Sequence, residues 1–224
     1  MKTIRPYVQI GSDVDGQGIL RKIEIIARTC YKSESKIQDG SAAKMVERLI
    51  KNGHEAMLEH CSVTVKFVCD RGISHELVRH RMASFAQEST RYCNYANENF
   101  GSEITFIEPF FLKKDTDAWY AWQTAMQTAE GCYFDLLDWG CTPQEARSVL
   151  PNSLKTEVVM TCNLREWRHF FKLRAAGTTG KPHPQMLELT LPLLIKMKEL
   201  IPVVFDDIIP CENCKILMKK VGDD

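Results

Sequence analysis

Arginine, serine and amide side chains are concentrated in one short stretch of this 224-residue chain. From Arg79 to Tyr92 the sequence reads RHRMASFAQESTRY, with three arginines, a histidine, a glutamine and two serines. Arginine presents a planar fork of donors that matches phosphate oxygens two at a time, and serine and glutamine add directional hydrogen bonds. The stretch is therefore predicted to bind a phosphorylated ligand.

Two residues of this stretch have alternative interpretations. Ser89 could be a nucleophile, but no G-x-S-x-G sequence surrounds it and the sequence places no base beside it. We therefore interpret Ser89 as a hydrogen-bond donor to phosphate. His80 lies on the same side of its predicted helix as Ile73 and Leu77, so it is either a core histidine or a functional one.

A second group of polar side chains falls on a helix predicted over residues 164–176. At about 100° per residue, one side of this helix carries Asn163, Trp167, Phe170 and Arg174. A guanidinium in this apolar arc needs a carboxylate partner or an anionic ligand. Alternatively, Arg174 extends to solvent and complements the dipole of the last helical turn.

The same helix presents Arg165 and His169, four residues apart, on another side. One helix would thus offer polar groups to two ligands, as a group-transfer reaction requires. His169 taken alone is also compatible with a partly exposed surface histidine.

The segment His54–His60 holds two histidines and two carboxylates within seven residues. Zinc proteases place two histidines four apart on a helix, whereas a spacing of six separates them by about 240° on an α-helix. We therefore predict no metal site, although a metal-dependent hydrolase built on His54, Glu59, His60 and His75 is an alternative. Cys211 and Cys214 form an isolated C-x-x-C pair, which we interpret as two free thiols because structural zinc takes four ligands.

The composition limits the classes of function. The chain has 29 Lys plus Arg and 29 Asp plus Glu, so no overall charge attracts it to nucleic acid or to an anionic membrane. A module that binds single strands through residues 79–91, with Phe85, Tyr92 and Tyr95 as stacking platforms, is the alternative. No window reaches the roughly 18 apolar residues of a membrane span, and the N-terminus does not have the apolar core of a signal peptide. We predict a cytoplasmic protein without a membrane partner.

Hydrophobic periodicity and turn residues predict the elements that position these side chains. Helices are predicted over residues 18–32, 42–51 with Ser41 as N-cap, 73–82, 118–139, 143–150, 164–176 and 185–200, and strands over 62–68, 103–107 and 155–161. Residues 79–92 are predicted as a turn-rich segment. Helices outnumber strands without regular alternation, which favours an α+β fold: a single domain over residues 1–224, helix-rich with a small, mostly antiparallel sheet.

The order of the charged residues resembles that of the flavin-dependent thymidylate synthase family. The pattern Arg-His-Arg, two residues, Ser, four residues, Ser, one residue, Arg-Tyr is typical of this family. The resemblance extends over Gly53-His54-Glu55, Glu59-His60, Arg147, Leu150-Pro151, Asn163-Leu164-Arg165 and Phe170 to Arg174. It covers most of the chain.

The resemblance implies an activity and a set of partners. Members methylate dUMP to dTMP with methylenetetrahydrofolate as carbon donor and NADPH as the reductant of bound FAD. The family forms homotetramers whose active sites are shared between subunits. The protein's part in such a reaction is binding, orientation and electrostatics.

The resemblance also implies site residues. Arg174 is the catalytic residue, and the residues expected to bind dUMP are Glu76, Arg79, Gln87, Glu88, Ser89, Arg91, Arg147 and Arg174. The residues expected to bind FAD are His54, Arg79, His80, Arg81, Gln87, Asn163, Arg165 and His169. Ala56, Glu76, Gln87 and His169 depart from residues found in some members. We expect residues 79–91 and 163–174 to converge around the two ligands.

Overall fold

The computed structural model describes residues 1–93, 95 and 103–210, so Cys211 and Cys214 lie outside the described residues. The helices are α1 (Gly16–Thr29), α2 (Ser41–Lys51), α3 (Arg71–Leu77), α4 (Asp117–Asp138), α5 (Pro143–Ala146), α6 (Leu164–Arg174) and α7 (Pro184–Leu200). The strands are β1 (Lys2–Ile4), β2 (Tyr7–Ile10), β3 (Ser62–Asp70), β4 (Ala83–Gln87), β5 (Thr105–Ile107) and β6 (Lys155–Asn163). Short 3₁₀ turns cover Glu34–Lys36, Glu55–His60 and Arg147–Val149.

The strands form two small sheets. Four strands pair in the order β2-β3-β6-β4 in an antiparallel sheet. The strands β1 and β5 pair in parallel, with Thr3 opposite Phe106. The predicted α+β class, helix-rich with a small, mostly antiparallel sheet, is confirmed. Within the described residues, no helix combines the length and apolar character needed to cross a bilayer.

The chain divides into two compact units. The first unit consists of Met1–Tyr7, Phe67–Arg79 and Phe85–Val159, and the second of Val8–Lys66, His80–Ser84 and Met160–Asp224. The prediction of a single domain over residues 1–224 stays a prediction.

The first unit has its core along α4. Apolar burial is the main source of its stability. The buried members of this core are Tyr95, Ile104, Phe106, Met126, Tyr133, Ala146 and Leu154. The helix α5 begins at Pro143 with a capping box, in which Glu145 Oε2 accepts from the Thr142 backbone N–H at 2.8 Å.

The second unit has its core under α6. Trp167, Phe170 and Phe171 are fully buried. Their rings meet edge to face or stacked, with centroids 5.4 to 5.8 Å apart. The indole N–H of Trp167 donates to the Val63 carbonyl at 3.0 Å. These contacts fix the rotation of α6 about its own axis. They therefore also fix the directions in which its polar residues project.

Three local predictions were wrong. The helix predicted over residues 73–82 runs from Arg71 to Leu77 and is capped by the Asp70 side chain, so His80 lies outside it. The segment predicted as a turn contains β4, whose ladder continues where the Glu88 N–H donates to the Glu157 carbonyl at 2.9 Å. Neither Gly nor Pro marks the helix end, so the local sequence gave no sign of it.

The third error concerns Ser41. The residue is the first of α2, and the N-cap is Gly40 with φ 74°. A left-handed backbone of this kind suits glycine. The Ser41 hydroxyl instead donates to Glu24 Oε2 at 2.8 Å.

Candidate functional site

A buried histidine lies at the centre of the polar cluster in the second unit. The Arg174 Nε–H donates to His80 Nε2 at 3.2 Å, and His80 Nδ1 lies 3.2 Å from Glu166 Oε1. The imidazole packs edge-on against Phe170, with centroids 4.9 Å apart, and approaches the His169 ring at 5.9 Å. His80 is 4% exposed. The structure therefore joins His80 to α6 in one hydrogen-bonded group.

The surroundings keep His80 neutral. Burial, followed by the positive charge of Arg174 and the proximity of His169, lowers the pKa of His80 to about 4. Burial also raises the pKa of Glu166, while His169 opposes that shift. A neutral imidazole can accept from Arg174, whereas an imidazolium would place a second cation against the guanidinium.

This pKa predicts a pH dependence of stability. The unfolded chain binds a proton at His80 near pH 6.5 and the folded protein only near pH 4. The contribution of His80 to stability is thus complete above pH 6.5 and is lost as the pH falls from 6.5 to 4. We expect the loss to reach about 3 kcal/mol near pH 4.

The measurement is urea unfolding of the protein and of His80→Gln at pH 7 and at about pH 4.5. All other ionisable groups are present in both proteins, so the difference in pH dependence between the two proteins reports on His80. Parallel pH dependence in the two proteins would contradict the prediction.

The start of α6 is set by its N-cap. Asn163 Oδ1 accepts from the Glu166 backbone N–H at 2.9 Å. The side-chain NH₂ of Asn163 can still donate hydrogen bonds to a ligand. Arg165 is exposed and pairs with Glu59 at 2.5 Å, and His169 is exposed as well.

The other end of α6 carries Arg174, which is half-buried. Its guanidinium bonds an imidazole, a partner that the sequence did not indicate. The Thr190 hydroxyl of α7 donates to the Arg174 carbonyl at 2.8 Å. Both the backbone and the side chain of Arg174 are therefore held.

A buried ion pair anchors α6 in the second unit. Arg168, 1% exposed, forms two parallel hydrogen bonds of 2.7 Å to the Asp207 carboxylate. It also donates to Glu55 Oε1 at 3.0 Å and to the Val204 carbonyl. Burial alone would lower the pKa of Arg168, but the bonds and charges of Asp207 and Glu55 raise it overall.

His54 lies at the edge of a groove in the second unit. It is exposed and immediately precedes the 3₁₀ turn Glu55–His60. The groove has a volume of about 890 Å³, and its basic lining residues include Lys36, Lys44 and Arg48. A groove of this size and charge suits an anionic ligand.

The predicted angle of 240° between His54 and His60 was wrong, because the segment is a 3₁₀ turn rather than an α-helix. A rise of about 2 Å per residue instead separates residues six apart by about 12 Å along the axis, too far for one ion. Among the described residues, one group of metal-ligand type forms, and it consists of His80, Glu166 and His169 with ligand atoms within 4.8 Å. The Arg174 guanidinium on His80 opposes a cation there. The alternative of a metal-dependent hydrolase built on His54, Glu59, His60 and His75 therefore gains no support from the described residues.

The first unit brings together two of the predicted nucleotide-binding arginines. Arg91 Nε donates to Gln144 Oε1 at 3.1 Å, and Arg147 Nη1 donates to Thr90 Oγ1 at 3.3 Å. Both arginines are exposed, and neither has a carboxylate partner in the part of the chain that the structure describes. Ser89 Oγ accepts from the Arg91 backbone N–H at 3.3 Å, so its hydroxyl hydrogen can be donated elsewhere. Residues far apart in sequence thus form a basic surface suited to phosphate.

Other predicted residues of the first unit make internal bonds. The Gln87 amide donates to Ser74 Oγ at 3.0 Å and to Thr156 Oγ1 at 3.3 Å. Glu88 pairs with Lys155 at 3.0 Å. The side-chain carbonyl oxygen of Gln87 can still accept a hydrogen bond from a ligand. The negative charge of Glu88 is compensated by Lys155.

The remaining predicted residues are accessible. Arg79 and Arg81 are exposed and Glu76 is half-buried. The convergence of residues 79–91 with 163–174 is found for His80, which meets Glu166, His169 and Arg174. For the residues of the first unit, and for every assigned ligand role, convergence stays a prediction.

Comparison with known proteins identifies the family of this chain. The model of the thymidylate synthase complementing protein family matches residues 15–203. The flavin-dependent thymidylate synthase of Pyrococcus furiosus is 38% identical over 144 residues, which are 64% of this chain and 58% of that protein. The flavin-dependent thymidylate synthase of Geobacter sulfurreducens is 30% identical over 192 residues, with 83% of this chain and 80% of that protein covered.

A solved structure shares the fold. It is that of a UMP/dUMP methylase, PolB from Streptomyces cacaoi, bound with 5-Br dUMP. It superimposes with a TM-score of 0.74 at 24% identity, covering 92% of this chain and 96% of that one. The chain belongs to the thymidylate synthase complementing protein family, and the resemblance found in the sequence is confirmed.

Proposed function

We propose that this chain is a flavin-dependent thymidylate synthase that methylates dUMP to dTMP. The observation that carries the proposal is Arg174, a half-buried guanidinium held by His80 next to the Phe170 ring. Negative charge develops on a uracil ring as its N3 loses a proton. A guanidinium in a water-poor setting stabilises such charge more strongly than one in water.

The basic surface of the first unit would bind the phosphate of dUMP. Arg91 and Arg147 each have donors that the described residues leave available, and the Ser89 hydroxyl lies at the same turn. Phosphate accepts bidentate bonds from guanidinium groups and single bonds from hydroxyls. Arg79, Glu76, Gln87 and Glu88 complete the proposed nucleotide set.

The proposed flavin residues have the donor chemistry that FAD requires. Arg165 and His169 are exposed on α6, Asn163 retains an amide donor, and His54 borders the basic groove. Arg79, Arg81, Gln87 and the His80 segment would add contacts. When bound, FAD would supply the reducing equivalents, since no protein side chain carries hydride.

Further elements of the proposal follow from the family. We propose NADPH as the reductant of FAD, methylenetetrahydrofolate as the carbon donor, and a homotetramer with shared active sites. We also propose a cytoplasmic protein of a single domain that binds neither nucleic acid nor membrane. The balanced charge of the chain supports the exclusion of nucleic acid.

The first test is spectroscopic. We expect the purified protein to be yellow, to bleach on anaerobic addition of NADPH and to regain its colour in air. Supplied with dUMP and methylenetetrahydrofolate, it should then form dTMP, and omission of the folate should abolish the product. A colourless protein that FAD cannot reconstitute would overturn the proposal.

The phosphate assignment has its own test. Arg91→Ala and Arg147→Ala should each raise the KM for dUMP about 10-fold and change kcat little, because a phosphate contact is made equally in the ground and transition states. Steady-state kinetics at two salt concentrations measure this. Arg21→Ala, an exposed arginine of α1, is the matched control. An unchanged KM in both variants would place the phosphate elsewhere.

A further inference from the structure

The hydrogen bonds around His80 define its tautomer. The Arg174 guanidinium has donors only, so His80 Nε2 must be the nitrogen that carries the lone pair. A neutral imidazole with a lone pair on Nε2 carries its proton on Nδ1. Nδ1 lies 3.2 Å from Glu166 Oε1, which is thus the acceptor of that proton's hydrogen bond.

We propose that Glu166 is a positioning residue for Arg174: it fixes the proton of His80 on Nδ1 and so leaves Nε2 as the acceptor that orients the guanidinium. The catalytic part of this inference rests on the proposed function, in which Arg174 stabilises charge on the pyrimidine. The tautomer is a property of the protein alone. Glu166 itself touches neither ligand in this proposal.

A comparison within the chain shows that Glu166 is not an ordinary helix-capping glutamate. Glu145 occupies the third position of α5, and its carboxylate returns to the N-cap Thr142, as a capping box requires. Glu166 occupies the same position of α6 after the N-cap Asn163. Its carboxylate turns instead to His80 and is only 11% exposed.

The orientation of Arg174 depends on this contact because its backbone is already fixed. The Thr190 hydroxyl, which is fully buried, holds the Arg174 carbonyl. The remaining freedom lies in the side-chain torsions, and the His80 contact restrains the Nε end of the guanidinium. Loss of this acceptor would remove the restraint on the Nε end of the guanidinium without displacing the helix.

The first experiment reads the tautomer by ¹⁵N NMR of histidine-labelled protein without substrate. The chain has six histidines, and the His80 signals are identified by their loss in His80→Gln. We expect the Nδ1–H tautomer in the wild type and a shift toward Nε2–H in Glu166→Ala. An Nε2–H tautomer in the wild type would overturn the proposal. This test does not depend on whether any variant folds.

The second experiment is kinetic. Glu166→Ala should lower kcat for dTMP formation about 10- to 100-fold, because a misoriented catalytic group loses rate on this scale. Flavin content and the rate of flavin reduction by NADPH should be those of the wild type, which a general structural defect would not preserve. Glu166→Gln keeps an acceptor oxygen and should recover part of kcat. Glu199→Ala, an exposed glutamate of α7, is the matched control.

The outcomes separate this inference from the proposed function. Wild-type kcat in Glu166→Ala would overturn the positioning role while the synthase activity stands. If the wild type forms no dTMP but shows the Nδ1–H tautomer, the proposed function is overturned. The hydrogen-bonded series from Glu166 through His80 to Arg174 would still be supported.

Discussion

Arg174→Ala is expected to lower the turnover of dUMP methylation by about 100- to 1000-fold, the usual cost of removing one preorganised donor from developing charge. The flavin content per subunit should change little. Arg174 makes its hydrogen bond to His80 from a half-buried position. In the proposed function, the removed group would stabilise charge that exists only in the transition state. The effect should therefore appear in kcat rather than in the KM for dUMP.

The measurement combines single-turnover dTMP formation with the visible absorbance of the flavin. Arg174→Lys is the informative comparison, since lysine retains the charge but not the planar Nε–H that points at His80. We expect it to recover only part of the rate. Equal losses of turnover and of flavin in Arg174→Ala would show that Arg174 is structural.

Arg168→Leu is expected to produce the largest loss of stability, about 3 kcal/mol, because it leaves Glu55 without its closest charge partner and the Val204 carbonyl without its donor. Arg168 is 1% exposed. Its partners Val204 and Asp207 lie 36 and 39 positions later in the chain. Urea unfolding at neutral pH measures the change.

Asp207→Asn provides the matched comparison for Arg168. The Asp207 carboxylate is about half exposed, and the amide keeps one acceptor, so the loss should be smaller than in Arg168→Leu. Arg168 also lowers the pKa of Asp207 through their hydrogen bonds. Equal stability of Arg168→Leu and the wild type would show that the ion pair contributes nothing net.

Much of the candidate site follows from residue type and spacing. The arginines of residues 79–91 are predicted to form an anion site because guanidinium and hydroxyl donors cluster there in sequence, and this stays a prediction. The helical pattern placed Trp167 and Phe170 on the apolar side of the helix, and both are buried in the core. It placed Arg174 in the same apolar arc, where the structure leaves this residue half-buried. These are local features, which periodicity captures.

The errors have a common physical origin in contacts between distant parts of the chain. No role of Glu166 is visible in the sequence, because its partner His80 is 86 residues away in the chain. The buried position of Arg168 is likewise not visible in the sequence, because its partner Asp207 lies 39 positions later in the chain. The end of α3 at Leu77 is set without a glycine or proline, so no local signal was available.

The engagement of both ring nitrogens of His80 limits what this residue can do in a reaction. Its Nε2 lone pair is occupied by Arg174 and its Nδ1 faces Glu166. Such a ring is a fixed dipole rather than a carrier of protons. We therefore expect the proton transfers of turnover to involve solvent or another group. The imidazole of His80 would instead hold the Arg174 guanidinium in a fixed position.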